Sequence, residues 1–244
     1  MNLIKKDIKN ILYRSNNLIL LYIFMLIVTQ IYILRFHEYN PIEVFFEAVV
    51  PDGGIISSFE EFVPPIFWFI YQLLPTFIVS LSIYTDHIEN SNYDILRTKS
   101  RNKYFFSKII AAFLVIIILN SFLMVFVLIN EIHSYNHYLT INFIRLVISY
   151  IFVQFLLFYI SFVIGLKFGY KYAITSVFIQ LVLSMATNFK FIIGQQSLVF
   201  KQDFMNGYLT FKENLIVFFM YTLTLSIVSY FVFKNYDFCG GSID

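Results

Sequence analysis

The stretch 86–109, DHIENSNYDILRTKSRNKYFFSKI, lies between two long apolar runs and decides how the chain is laid out. It holds Arg97, Lys99, Arg101, Lys103 and Lys108, the densest positive cluster in the sequence. A basic segment between membrane-length runs reads as a loop or short helix at a membrane surface. The positive-inside rule places it in the cytoplasm. It also carries Tyr93, Ile95 and Leu96, apolar side chains that a purely solvated loop does not need. A basic elbow with an apolar patch implies a cytoplasmic partner.

Composition agrees with a membrane setting. Hydrophobic residues make up 59% of the chain and charged residues 13%, where a soluble domain carries about 25% charged. The apolar residues come in runs of roughly 20, the length that spans a bilayer. A net charge of +2 gives no footing for nucleic-acid binding. The single cysteine, Cys239, excludes an internal disulfide and leaves no cysteine-based zinc site.

The expected fold is all-α: one polytopic membrane domain over residues 1–244. Residues 1–15 predict an interfacial elbow helix. Leu3, Ile4, Ile8, Ile11 and Leu12 form an apolar stripe, while Lys5, Lys6, Lys9 and Arg14 lie outside it. The long polar leader and the missing small-residue cleavage site argue against a signal peptide. Six spans follow at about 18–34, 65–84 (containing Pro75), 109–130, 143–164, 173–189 and 215–233. An N-in, C-in arrangement puts twelve cations inside, from Lys5, Lys6, Lys9, Arg14, the five of the elbow, Lys167, Lys171 and Lys234. It leaves four outside, Arg35, Lys190, Lys201 and Lys212. Residues 86–108 are then a cytoplasmic coupling region. The first outer stretch, 37–64, collects Glu38, Glu43, Glu47, Asp52, Glu60 and Glu61. Residues 190–213 are too apolar for a solvated loop, and both re-entrant half-helices and a compact outer cap fit them.

Motifs for chemistry are sparse. Asp86 and Glu131 sit only at span ends, which argues against proton or sodium coupling through the spans. Gln30, Gln72, Asn120, Gln154 and Gln180 read as interhelical glue. Arg145, the one charge inside the spans, reads as snorkelling outward. His133 and His137 have metal-ligand spacing, but only Glu131 could join them, so the ordinary reading is two exposed histidines. Gly165 and Gly169 form GxxxG and read as turn glycines. The glycine–lysine stretch 165–171 lacks Walker A spacing. The sequence thus offers no catalytic, metal or cofactor site.

The whole layout resembles an ABC-2 type permease: interfacial helix, six spans, basic elbow between spans two and three, and a semi-apolar outer segment before the last. The elbow carries the most specific likeness. It shows Glu89, then Ile95 and Leu96, then Ser100–Arg101, then Lys108 seven residues beyond the arginine. The glycine usual in the family is absent, and Asn92, which tolerates the left-handed conformation, stands as its substitute. LRTKSRNKYFFSK is similar to small Gram-positive permeases linked to peptide or bacteriocin export and immunity. The resemblance implies a bacterial plasma-membrane subunit that pairs with a second permease copy or paralogue and binds ABC ATPase subunits, which hydrolyse the ATP. The implied ATPase-coupling surface is Glu89, Asn92, Tyr93, Asp94, Ile95, Leu96, Arg97 and Arg101. The elbow residues Leu3, Ile4, Lys5, Lys6, Ile8, Ile11 and Leu12 would sit at the lipid bilayer. The competing expectation is a non-transporting immunity or sensor protein that binds a peptide or toxin, drawn by the acidic outer stretch.

Overall fold

The computed structural model describes residues 3–35, 65–134, 141–205 and 207–234. The helices among them are α1 (Leu3–Arg14), α2 (Asn16–Arg35), α3 (Ile66–Thr98), α4 (Arg101–Ser134), α5 (Ile141–Phe168), α6 (Tyr170–Ala186) and α7 (Phe211–Lys234). Apart from one isolated bridge, Gln202 to Leu209, the described residues hold no strand pairing. Four helices, α3, α4, α5 and α7, are long and apolar enough to cross a membrane. The α1–α2 pair makes a fifth if counted as one bent span, and α6 is shorter at 17 residues. This is a helical, multi-pass membrane architecture. The acidic stretch 37–64, His137 and Cys239 lie outside the described residues, as do the side chains of Arg97, Glu131 and His133.

Helix α5 is the hub and packs on α3, α4, α6 and α7. In an apolar solvent, burial of apolar side chains cannot choose one helix partner over another, so close packing and polar pairs decide the arrangement. Pro75 shows how. It sits inside α3 and has no N–H to offer the carbonyl of Tyr71, one turn back. Gln154 of α5 supplies the missing donor, its Nε2 reaching Tyr71 O at 2.9 Å. Asn120 of α4 then donates from Nδ2 to Gln154 Oε1 at 2.6 Å. Thus the missing helix hydrogen bond that Pro75 creates becomes the point where α3, α4 and α5 are tied together. The glue role read for Asn120 and Gln154 has a specific cause in the proline.

The bundle has two distinct ends. At one, Trp68 on the first turn of α3 donates from Nε1 to Ser197 Oγ at 3.0 Å, seating the segment between α6 and α7 over the bundle. That segment consists of single 3-10 turns, Gln195–Ser197, Val199–Lys201 and Asp203–Met205. It is a compact cap, not the pair of half-helices that its apolar content also allowed. At the other end lie α1, the end of α3, the start of α4 and the α5–α6 turn, where Tyr84 stacks on Tyr170 at 5.1 Å. The last turn of α7 is there too, with Phe233 4.9 Å from Phe105.

The turn between α3 and α4 differs from the sequence expectation. Asn92 is an ordinary helical residue, because α3 runs unbroken to Thr98. The left-handed residue is Lys99, with φ 51°, which closes α3 by donating its N–H to Ile95 O. Of the two GxxxG glycines, Gly169 is the turn residue, with φ 93°. Gly165 is instead buried within α5, where an added Cβ would make ordinary contact with Tyr84 and Ala173.

Two substitutions check this account. Gln154→Leu is expected to cost about 1–2 kcal/mol by orphaning the Tyr71 carbonyl, and clearly less in a Pro75→Ala background, where the helix satisfies that carbonyl itself. A double-mutant cycle on thermal unfolding in detergent reads the difference. Equal costs in both backgrounds would refute the proline account. Lys99→Gly is expected to raise stability by about 1 kcal/mol, because glycine adopts the left-handed cap without the Cβ clash.

Candidate functional site

The end formed by α1, α3 and α4 is built around buried charge. On α1, Asp7, Asn10 and Arg14 recur at helical spacing and share one face. On α3, Asp86, Asn90 and Asp94 do the same, one turn apart each time. These two polar faces meet. Asn10 donates to Asp86 Oδ1 at 3.2 Å, Arg14 to Glu89 Oε2 at 2.6 Å, and Lys6 pairs with Asp94. Lys108 of α4 enters between the two helices. Its ammonium lies 2.6 Å from Asp7 Oδ1 and also pairs with Asp86 Oδ2. Lys108 is 1% exposed, and Asp7 and Asp86 are as deeply enclosed.

Second contacts occupy the remaining oxygens of Asp7 and Asp86. Ser107 donates to Asp7 Oδ2 at 2.8 Å, and Asn90 to Asp86 Oδ1 at 2.9 Å. The Tyr104 ring faces the Lys108 ammonium at 5.1 Å, and its hydroxyl meets His87 Nδ1 at 3.1 Å. Burial pushes the Asp7 carboxyl above its ordinary range even though Lys108 and Ser107 pull it down. Three carboxylates, from Asp7, Asp86 and Asp94, come within 4.8 Å of one another, a spacing that fits a metal ion. However, Lys108 already places a cation between Asp7 and Asp86, and Lys6 places one on Asp94. The arrangement is an ion-pair node that rivets three helices, and its chemistry is charge pairing.

The node also explains the bend that follows α1. The axes of α1 and α2 differ by 68°. At the junction Ser15 is buried and donates from Oγ to Ile78 O at 2.8 Å. The apolar stripe expected to lie in lipid is largely turned onto the protein: Ile11 is in the core, and Ile8 and Leu12 pack against it. Leu3 and Ile4 are half-buried, Lys6 is held by Asp94, and Lys5 faces outward.

The residues expected to couple to a partner divide into two groups. Glu89 and Asp94 are spent on Arg14 and Lys6. Ile95 is half-buried and packs on the core. Asn92, Tyr93 and Leu96 face outward together, with Tyr93 75% and Leu96 74% exposed. Arg101 is exposed at the start of α4. Sequence reasoning missed the node. The signal was present in the matching carboxylate and amide spacing of α1 and α3, and in a lysine at 108 next to an apolar run.

A second polar cluster fills the capped end. Lys201 is buried and donates from Nζ to Ser184 O at 2.8 Å and to Thr187 O at 2.5 Å, closing the carbonyl end of α6. Gln202 donates to Gln196 O at 3.0 Å and accepts from Asn214 Nδ2 at 2.8 Å, tying the cap to α7. Gly194 meets this cluster with φ 119° and so little room that a Cβ would lie 2.6 Å from Ser184 Oγ. Thr210 and Glu213 then form a capping box at the start of α7.

The chain matches no family model, no curated protein and no solved structure.

Both clusters are open to test. Lys108→Met leaves Asp7 and Asp86 buried without their cation and is expected to cost about 3–5 kcal/mol, read as a drop in melting temperature in detergent. A change within the scatter of surface variants would show that the node is not load-carrying. Burial pushes the Lys201 ammonium down to about 8. The unfolded lysine keeps its proton to about 10.4, so from about pH 8 to pH 10 the unfolded state binds more protons and stability rises with pH. Lys201→Met is expected to remove that rise in parallel melting curves.

Proposed function

We propose that this chain is the membrane-spanning permease subunit of an ATP-driven exporter of the ABC-2 type. In this reading it crosses the bacterial plasma membrane six times with both ends in the cytoplasm. It pairs with a second permease copy or paralogue, and separate ATPase subunits supply the energy. The cargo is a peptide or another amphipathic or apolar molecule, which suits spans whose interior holds amides and hydroxyls and whose carboxylates lie toward their ends.

The projecting tip of α3 is the observation that supports this reading best. Asn92, Tyr93 and Leu96 present an apolar, hydrogen-bonding surface on the outward side of a helix. The inward side of the same turns, through Asp86 and Asp94, is riveted to α1 and α4. A partner that pushes on the tip therefore moves α1 as well, and through the buried Ser15 it moves α2. A loop fixed only for topology needs neither the exposed aromatic nor the rigid attachment. The exposed Arg101 adds a positive rim for acidic groups of the partner.

The test is affinity purification in mild detergent from the native host, with mass spectrometry of what co-purifies. An ATPase subunit in stoichiometric amount is expected. A Tyr93→Asp, Leu96→Asp double variant is expected to lose it with an unchanged melting temperature, because both side chains are outside the core. Ile95 is unsuitable for this purpose, since its packing would confuse loss of docking with loss of fold. ATPase retention by the double variant would sink the docking assignment. A wild-type protein that elutes alone, folded and dimeric, would favour the immunity or sensor reading.

A further inference from the structure

At the ion-pair end, every described carboxylate is turned to internal use. Asp7, Asp86, Asp94 and Glu89 are each paired with Lys6, Arg14 or Lys108. Besides Lys99 and Lys103 at the α3–α4 turn, exposed lysines with an aromatic neighbour point outward in two sets. On α1, Lys5 and Lys9 are exposed at i, i+4 spacing and lead to Tyr13, which is 82% exposed. On the α5–α6 turn, Lys167, Phe168, Lys171 and Tyr172 are all exposed. There the Lys167 ammonium lies 5.1 Å from the Phe168 ring, and Phe168 meets Tyr172 edge to face at 6.4 Å.

We infer that these two sets form a binding surface for anionic phospholipid headgroups. The lysine side chains match phosphate in charge, and the aromatic rings match the boundary between headgroup and acyl chain. Both sets are placed where that boundary falls. Lys167 and Lys171 close one apolar helix and open the next, and α1 leaves the axis of α2 at 68°. Asp7 and Asp86 turn inward onto Lys108, so the outward side of α1 carries the charge of Lys5 and Lys9. A soluble protein partner fits less well, because aromatic side chains beside span ends meet lipid before they meet solvent. The inference does not depend on the transporter reading.

The experiment uses the purified full-length chain in maltoside detergent. Phosphatidylglycerol or phosphatidylcholine is added, and melting temperature and lipid retention in native mass spectrometry are followed. Phosphatidylglycerol is expected to raise the melting temperature where phosphatidylcholine does not, and salt near 0.5 M is expected to cancel the difference by roughly halving the screening length. Each lysine near an anionic surface contributes roughly fivefold in affinity. A variant carrying Lys5→Gln, Lys9→Gln, Lys167→Gln and Lys171→Gln is therefore expected to bind phosphatidylglycerol at least about tenfold more weakly. The corresponding four arginine substitutions should keep the preference. Equal responses to the two lipids would overturn the proposal, as would a glutamine variant with full preference. Should the glutamine variant not fold, the wild-type lipid comparison and its salt dependence decide alone. A glutamine variant that loses a co-purifying ATPase yet keeps its lipid preference would also overturn it, by assigning these lysines to a protein.

Discussion

The structure depends on one buried ammonium. Lys108 lies between Asp7 and Asp86 with almost no exposed surface, so α4 holds α1 and α3 in a single geometry. A charge taken from water into an apolar setting is costly unless well-placed partners surround it. Here the partners are complete: two carboxylates, an aromatic face, and Ser107 and Asn90 on the remaining carboxylate oxygens. The same requirement makes the geometry specific. Rotating α1 by one residue would remove Asp7 from Lys108 and Lys6 from Asp94 together. Apolar contacts alone could not forbid that rotation, since lipid and protein are equally good apolar solvents.

The helical class and the positions of the long apolar helices were legible in the sequence, because run length and charge poverty are properties of a single segment. The internal structure of the elbow 86–108 was not legible. Its polar composition suggested a loop or short helix, whereas α3 continues to Thr98 and α4 begins at Arg101. The reason is tertiary. Asp86, Asn90 and Asp94 are well placed on a helix only when α1 supplies Asn10 and Lys6 opposite them. Likewise the stripe of α1 showed an amphipathic helix without showing which surface its apolar face meets. Asn92 could substitute for a glycine only if the chain turned there, and it turns seven residues later, at Lys99.

The capped end solves a similar problem with amides and one lysine. Residues 187–210 leave many backbone carbonyls outside regular helix, and these need donors wherever water is excluded. Lys201, Gln195, Gln196 and Gln202 provide them from within the segment. Long amide and amine side chains are suited to this, since each reaches carbonyls several residues away. The buried glutamines therefore reflect an irregular backbone, just as Gln154 reflects Pro75. In both places a polar residue inside the bundle marks a carbonyl that the helix could not satisfy.

A single short helix shows how angle decides role. Lys5, Lys6, Lys9 and Arg14 count equally in any charge tally of α1. Lys6 and Arg14 lie on the side facing α3 and become structural, each paired with a carboxylate there. Lys5 and Lys9 lie on the other side and stay exposed. Charge number sets orientation in a membrane, but helical phase determines which cations hold the fold and which are left to meet what surrounds it. The one acid of α1, Asp7, falls on the inward side. It turns toward Lys108, away from the outward lysines. Fixing the helix and giving its outer face a uniform positive charge are thus consequences of the same placement.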